Sequence, residues 1–217
     1  MSSRYLITTA DQRTWRHDRP VLFLGEWCCY YDAKHVWGGM DAVVAEPYGV
    51  CSDQKERNNF YLQELFQQLL KVVAEALNEF HEVGHSLRYW HILIGHWLHR
   101  YLTVTFNRYF TLEQALDRHA VSGTAVLYPE SYSLATVDSL SFIWACNDDV
   151  WNHVLYSRIL RFWKYSNVDL VIDGLQGQSC FSILGSPTAA GRASIASRCI
   201  RYVANNILPR FSSKRDA

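Results

Sequence analysis

The sequence predicts an α/β protein with an open, mostly parallel sheet flanked by long helices. Three observations predict it. Short apolar runs alternate along the chain with long helical stretches, which is the order of elements typical of a parallel sheet. Several of these runs are apolar at nearly every position, as in strands that are covered on both faces. The helical stretches repeat apolar residues at intervals of three and four.

Five strands are predicted from the apolar runs. Residues 5–9 (YLITT) are β-prone, and residues 20–25 (PVLFLG) form an apolar run that stops at a glycine. Residues 41–47 (DAVVAEP) are the third candidate. Residues 123–129 (GTAVLYP) read as a buried strand that ends at proline, and residues 168–173 (VDLVID) complete the set.

The helical spacing predicts five helices, over about residues 59–80, 87–109, 112–119, 149–163 and 190–207. Gly84 is placed to end the first helix, and Ser86 is placed to cap the second. We expect residues 1–217 to fold as a single α/β domain with a Rossmann-like sheet. Ligands of such sheets bind at the carboxyl ends of the strands.

Composition narrows the classes of partner. Of the 217 residues, 49% are hydrophobic, which is enough for a well-filled core. The 21 basic and 21 acidic residues balance, so we expect no nucleic-acid partner and no broad surface for anionic lipid. The eight tryptophans and thirteen tyrosines belong either to the core or to platforms for sugar rings.

The sequence favours a cytoplasmic protein. The first twenty residues contain no apolar segment of the kind found in a signal peptide. The longest apolar-rich stretch, residues 87–106, is interrupted by arginines and histidines, so no transmembrane segment is predicted. None of the six cysteines forms a C-x-x-C pair, and we expect them to be free or buried thiols.

The segment HEVGH, residues 81–85, matches the H-E-x-x-H signature of zinc proteases, and His91 falls near the place of a third ligand. In a zincin both histidines lie on one uninterrupted helix, and the glutamate acts on the metal-bound water. Here the motif is predicted to span the junction between two helices. We therefore predict no metal site.

Polar side chains cluster where the second predicted helix begins. His85, Arg88 and Tyr89 lie where free backbone N–H groups favour anions, so they form a candidate site for a phosphate or carboxylate. The alternative is that Arg88 pairs with an acidic neighbour and His85 hydrogen-bonds a backbone carbonyl.

Three stretches resemble the amino-terminal part of a family of transferases that are encoded in bacterial O-antigen and surface-polysaccharide clusters. The stretches are PVLFLGEWCCYYDAKHVWGGMDAVVAEPY, YLQELFQQLLKVVAEALNEFHEVGHSLRYWHILIGHWL and DDVWNHVLYSRIL, within residues 4–165. The shared residues are Gly25, Glu26, Trp27, Cys28, Asn78, His81, His85, Ser86, Arg88, Tyr89, Trp90, Trp151, Asn152 and His153. In the resembling proteins a glutamate rarely follows the first histidine, so Glu82 completes the zinc motif by accident.

The resemblance implies the fold of the amino-terminal, acceptor-type lobe of a GT-B glycosyltransferase. A second, donor-binding lobe is then expected outside this chain, which is a fragment or a stand-alone lobe. The implied reaction moves a sugar, or a related group, from a nucleotide-sugar donor to a glycan or lipid-linked glycan acceptor. No further cofactor is implied, and peripheral membrane association stays open.

The implied reaction gives roles to several residues. An inverting transferase needs a base for the acceptor hydroxyl, and the candidates are Glu26, which follows a buried strand, and His153. Trp27 is a candidate platform for a sugar ring. Arg88 would steady a negatively charged group of the substrate. His85, Tyr89 and Asn152 complete the predicted substrate-binding residues.

Each assignment has an ordinary structural alternative: a solvated carboxylate for Glu26, apolar packing for Trp27 and a hydrogen-bonded core histidine for His153. Asp148 and Asp149 are explained as residues that cap a helix. Two other functions stay open. One is a non-catalytic carbohydrate-binding or assembly module, and the other is a zinc hydrolase that uses His81, His85 and His91.

Overall fold

The computed structural model describes residues 3–127 and 134–172. The chain divides into two compact units. One consists of Met1–Val50 and Val104–Gly185 and is called the sheet unit here; the other consists of Cys51–Thr103 and Ser186–Ala217 and is called the helical unit. The predicted helix over residues 190–207 lies outside the described residues.

A parallel sheet forms the centre of the sheet unit. Its strands are β1 (Arg4–Ile7), β2 (Val21–Phe23), β3 (Ala42–Val44), β4 (Val121–Leu127) and β5 (Val168–Ile172). The five strands lie in the order β3-β2-β1-β4-β5, and every neighbouring pair is parallel. This confirms the predicted α/β class and its open, parallel, Rossmann-like sheet. The order changes direction between β1 and β4, the switch point at which such sheets bind ligands.

The apolar runs form strands because both of their faces are buried. In β2, Val21, Leu22 and Phe23 are all buried, as the continuous apolar run predicts. One face of the sheet carries a cluster of buried residues: Tyr5, Ile7, Trp15, Val21, Phe23, Cys28 and Ala125. Each large side chain buried in this way contributes on the order of 1.5–3 kcal/mol to folding. The edge strand β3 is half exposed at Val43 and Val44.

In the described part of the chain, three helices belong wholly to the sheet unit. They are α1 (Lys34–Trp37), α4 (Ser139–Ala145) and α5 (Asp149–Phe162). Helix α5 confirms the helix predicted over residues 149–163, and Asp148 caps it by accepting a hydrogen bond of 2.7 Å from the Trp151 N–H. Helix α4 was not predicted, because seven residues are too few for an apolar period to stand out.

Two long helices supply the described residues of the helical unit. Helix α2 (Ser52–His81) begins earlier than the predicted residue 59. Helix α3 (Leu87–Arg118) contributes its residues up to Thr103 to this unit and the rest to the sheet unit. It joins the two helices predicted over residues 87–109 and 112–119, since its turns continue without a break. Among the described residues, Leu65, Phe66, Leu69, Leu70 and Leu98 form a buried cluster in this unit.

No helix within residues 3–127 and 134–172 combines the length and apolar character that crossing a membrane requires. Among the cysteines in these residues, Cys28, Cys29, Cys51 and Cys146 are free thiols, as predicted. Cys28 is fully buried, and its burial raises the pKa of its thiol. It therefore acts as a small core residue.

Candidate functional site

A pocket of about 270 Å³ opens in the sheet unit, at the carboxyl-terminal edge of the sheet. The loop after β1 contributes to its wall, as do the loop after β2, helix α3 and the start of helix α5. Its lining residues are Thr9, Trp27, Tyr30, Arg108, Cys146, Asn147, Asp149, Asn152 and Tyr156. The pocket therefore lies where the strand order predicts a ligand site.

Trp27 is fixed on one wall of this pocket. Its indole Nε1–H donates a hydrogen bond of 3.1 Å to the backbone oxygen of Thr8, and the side chain is 40% exposed. The ring lies over Gly25, where a Cβ atom would overlap it. A glycine is therefore required before the Glu26-Trp27 turn. The Trp27 ring, which is predicted to stack on a sugar, is accessible from the pocket.

Asp149 places a carboxyl group in the same pocket. Its Oδ1 accepts a hydrogen bond of 3.1 Å from the Ala10 N–H, which links the first turn of α5 to the loop after β1. Burial raises the pKa of this carboxyl above the usual value, the nearby negative charges of Asp148 and Asp11 add to the rise, and the Ala10 hydrogen bond opposes it. Asp149 is therefore a stronger base than an ordinary aspartate.

Arg108 contributes a positive charge to the pocket. Its Nε–H donates to the Asn152 Oδ1 at 2.9 Å, and its Nη2 donates to the Cys146 backbone oxygen at 3.2 Å. A third bond of 2.9 Å runs from Nη1 to the Oδ1 of Asn107. Asn152 is in turn fixed by donating to the backbone oxygens of Cys146 and Asp148, at 2.9 and 2.8 Å. The guanidinium is thus held in one orientation by neutral acceptors.

His153 is buried and does not line the pocket. Its Nδ1 lies 3.4 Å from the hydroxyl oxygens of both Thr8 and Thr9, and its Nε2 is buried without a hydrogen-bond partner. Burial lowers its pKa to about 4, against the smaller opposing effect of the Asp11 charge. The ring is therefore neutral at pH 7 and supports the Thr8-Thr9 segment from behind.

Glu26, the other predicted base, is exposed in a short 3-10 turn and is not among the residues that line the pocket. Its neighbour Trp27 does line the pocket. The structure therefore brings two of the predicted site residues, Trp27 and Asn152, into one pocket, with His153 buried behind its wall and Glu26 exposed on the adjoining turn.

The other predicted substrate-binding residues, His85, Arg88 and Tyr89, belong to the helical unit and are exposed. The rings of His85 and Tyr89 stack with centroids 4.0 Å apart. The Asn78 side chain fixes the preceding loop: its Oδ1 accepts from the His85 N–H at 3.1 Å, and its Nδ2 donates to the His85 backbone oxygen at 2.9 Å. The Ser86 hydroxyl accepts from the Tyr89 N–H at 3.3 Å, which confirms Ser86 as the cap of α3.

The zinc motif does not lie on one helix. Helix α2 ends at His81, Glu82 follows with a left-handed φ of 53°, and His85 precedes the first residue of α3. The prediction that Gly84 ends the first helix was wrong in detail, because Glu82 is the residue that adopts the left-handed conformation. Within the described ranges, no group of three or more His, Cys, Asp or Glu side chains is arranged to hold a metal ion.

Sequence reasoning missed two charged residues of the pocket. Asp149 was explained as an acidic residue in the first turn of a helix, so no role in a site was predicted for it. Its contact with Ala10 spans 139 positions of sequence. Arg108 lies within a long helix, and its partner Asn152 is 44 positions away. The one available signal for Arg108 was an arginine among aromatic residues in the stretch FNRYF, residues 106–110.

Comparison with known proteins places the chain in a family. The sequence model of the family described as LIC12162 family transferase matches residues 4–215. A search of curated proteins and a search of solved structures each find no significant match. Because the match covers nearly the whole chain, the protein belongs to the LIC12162 family of transferases.

Proposed function

We propose that the chain takes part in glycosyl transfer during the synthesis of bacterial O-antigen or another surface polysaccharide. The observation that carries the proposal is the pocket at the sheet's switch point, where the Trp27 ring and the Asp149 carboxyl face the same space. An aromatic ring beside a carboxylate suits a sugar whose hydroxyl must lose a proton. Membership of a transferase family and the Rossmann-like sheet support the same conclusion.

In the proposed reaction, a hydroxyl of the glycan acceptor attacks the anomeric carbon of a nucleotide sugar. The new carbon–oxygen bond forms as the bond from that carbon to the phosphate oxygen breaks, and the nucleoside diphosphate leaves with the electron pair. The hydroxyl proton passes to a base. We assign this role to Asp149, because it lines the pocket and because its raised pKa makes it the stronger base.

Neither residue predicted from the sequence as the base is then the first choice. Glu26 is the second candidate base, since it adjoins Trp27 on the exposed turn after β2. His153 acts as a positioning residue, because a buried neutral ring behind Thr8 and Thr9 fixes the loop that Asp149 binds. The donor is proposed to be a nucleotide sugar, the acceptor a glycan or lipid-linked glycan, and the compartment the cytoplasm. As in the GT-B enzymes that the sequence resembles, the donor would be bound mainly by a second lobe.

The helical unit carries a separate candidate surface. The stacked rings of His85 and Tyr89 are exposed together with Arg88, and they are a candidate contact for an extended glycan. Their orientation is fixed by Asn78 and Ser86, so the surface is preorganised. This surface is proposed to bind substrate and has no part in the chemical step.

A chromosomal substitution in the organism that encodes the chain tests the proposed reaction in the cell. Asp149→Asn should abolish or strongly reduce the surface polysaccharide seen on a gel, because the amide cannot accept the proton. Asp138→Asn is the matched control, since Asp138 is an exposed helix cap outside the pocket and asparagine caps a helix equally well.

The outcomes separate the candidate functions. Loss of polysaccharide in Asp149→Asn, with normal polysaccharide in the control Asp138→Asn, supports transfer in the pocket. Loss in Trp27→Ala with normal polysaccharide in Asp149→Asn supports the non-catalytic carbohydrate-binding module instead. Normal polysaccharide in both variants contradicts any role of this pocket in polysaccharide synthesis.

A further inference from the structure

The strongest unexplained feature of the sheet unit is the charge of Arg108. The side chain is half-buried and lines the pocket, and no carboxylate within the described parts of the chain forms an ion pair with it. Its described hydrogen bonds go to two side-chain amides and one backbone carbonyl, all of them neutral. Removing a cation from water without a counter-charge is costly, so such a group commonly marks a place where a ligand supplies the charge.

The guanidinium also has unused donors for an oxyanion. A guanidinium has five N–H donors, and the three described bonds use one on Nε, one on Nη1 and one on Nη2. The two terminal nitrogens each keep one further donor. Two N–H donors of one guanidinium can bind two oxygens of a phosphate or carboxylate at once.

The negative charge in the pocket does not neutralise Arg108. Asp149 also lines the pocket, but its described hydrogen bond is with the Ala10 N–H. The charges that most affect the Asp149 carboxyl are the negative ones of Asp148 and Asp11, which raise its pKa. The pocket is therefore lined by a carboxyl group and a cation between which no ion pair is described.

The size of the pocket limits what that ligand is. Pockets for drug-sized molecules measure roughly 300–1,000 Å³. A pocket of about 270 Å³ lies just below this range, so it suits one sugar ring with one charged group. The Trp27 ring is available to the sugar, and the Arg108 fork to the charged group.

We propose that Arg108 binds a phosphoryl group of the ligand, so that the pocket takes a sugar phosphate and not a neutral glycan. This inference rests on the proposed function, in which both the activated donor and a lipid-linked acceptor carry phosphate next to a sugar. It makes Arg108 the anion-binding residue of the sheet unit, independently of Arg88 in the helical unit.

Binding of inorganic pyrophosphate tests the inference without any assumption about the sugar. The readout is the indole resonance of Trp27 in protein labelled with ¹⁵N at tryptophan, assigned with Trp27→Phe, at low ionic strength. Wild-type protein should show a saturable shift, and Arg108→Gln should weaken the affinity by about tenfold or more, since a charge-assisted fork is lost. Arg100→Gln is the matched control, because it removes the same charge from an exposed position of α3.

Four results would overturn the inference: no shift of Trp27 in wild-type protein, equal weakening in both variants, unchanged affinity in Arg108→Gln, or acetate binding as tightly as pyrophosphate. If Arg108→Gln does not fold, the Arg108 Nε–H resonance of wild-type protein carries the test, and it must shift with pyrophosphate. Titrations with uridine diphosphate and with a short isoprenyl diphosphate then show whether the phosphate belongs to the activated donor or to the lipid-linked acceptor. Pyrophosphate binding together with normal polysaccharide in the Asp149→Asn strain would uphold this inference and sink the proposed function.

Discussion

The Nε–H of Arg108 donates a hydrogen bond of 2.9 Å to the side-chain oxygen of Asn152, so a neutral amide is the partner of a half-buried cation. Asn152 is itself anchored to two backbone oxygens at the start of α5. The pair joins α3 to α5 on one wall of the pocket. Because the amide orients the guanidinium without neutralising it, the positive charge stays available to a ligand.

Giving Arg108 an internal counter-charge should close the anion site. Asn152→Asp keeps an oxygen for the Arg108 Nε–H but adds a negative charge, so pyrophosphate affinity should fall by about tenfold at pH 7. Isothermal titration calorimetry measures the change. Asn167→Asp is the control, since it adds the same charge at an exposed position of the sheet unit. An equal loss in both variants would mean that only net charge matters.

A methyl group at Gly25 should displace Trp27. The added Cβ of Gly25→Ala overlaps the Trp27 ring, so the hydrogen bond from its Nε1 to the Thr8 oxygen should break. We expect a changed indole resonance for Trp27, a loss of about 1–3 kcal/mol in stability and weaker binding of sugar ligands. Gly39→Ala should change none of these, because nothing lies within 4 Å of the Cβ atom added there. An unmoved Trp27 resonance in Gly25→Ala would be incompatible with this packing.

His153 should make the protein less stable in mild acid. Its pKa is about 4 in the folded protein, whereas the ordinary histidine value of 6.5 applies to the unfolded chain. Between these two values the unfolded chain therefore binds a proton that the folded chain does not. The contribution to stability is fully present above pH 6.5 and is lost as the pH falls towards 4. The loss is up to about 3 kcal/mol.

Urea unfolding at a series of pH values measures this dependence. His153→Gln should unfold more easily at pH 7 but with a flatter dependence between pH 4 and 6.5. His35→Gln removes an exposed histidine and should leave the dependence as it is in the wild type. A His153→Gln variant with an unchanged dependence would show that another group is responsible.

Replacing Glu82 should stabilise the helical unit. A left-handed φ of 53° strains a residue with a side chain, so Glu82→Gly should gain about 0.5–1 kcal/mol. Glu75→Gly, in the exposed interior of α2, should instead lose about 1 kcal/mol. Thermal unfolding measures both. If Glu82→Gly abolished a hydrolytic activity of the purified chain, the zinc-hydrolase alternative would return.

The sheet could be predicted from the sequence because its signals are local. Each buried strand is a short apolar run, and the run in residues 21–23 alone is enough to place β2. Trp27 was predicted because it follows a buried strand, where parallel sheets bind ligands, whereas Asn152 was predicted from the family resemblance.

The anion site could not be predicted, because it depends on contacts between distant parts of the chain. Arg108 and Asn152 look ordinary in their own helices, and the uncompensated charge appears only when α3 and α5 pack together. A core position for His153 was one of two alternatives, and the sequence could not decide between them, because its neighbours Thr8 and Thr9 are at the other end of the unit's sequence. Helix α3 was predicted as two helices because Thr111, which directly precedes the predicted helix over residues 112–119, is a residue type that caps helices.

The most direct test of the account is a titration of ¹⁵N-tryptophan-labelled wild-type protein with the 1-phosphates of glucose, galactose, mannose and N-acetylglucosamine. We predict that at least one of them shifts the Trp27 indole resonance in a saturable way and binds more tightly than its methyl glycoside. If none of the four moves Trp27, or if the methyl glycosides bind equally well, the pocket is not a site for a sugar phosphate.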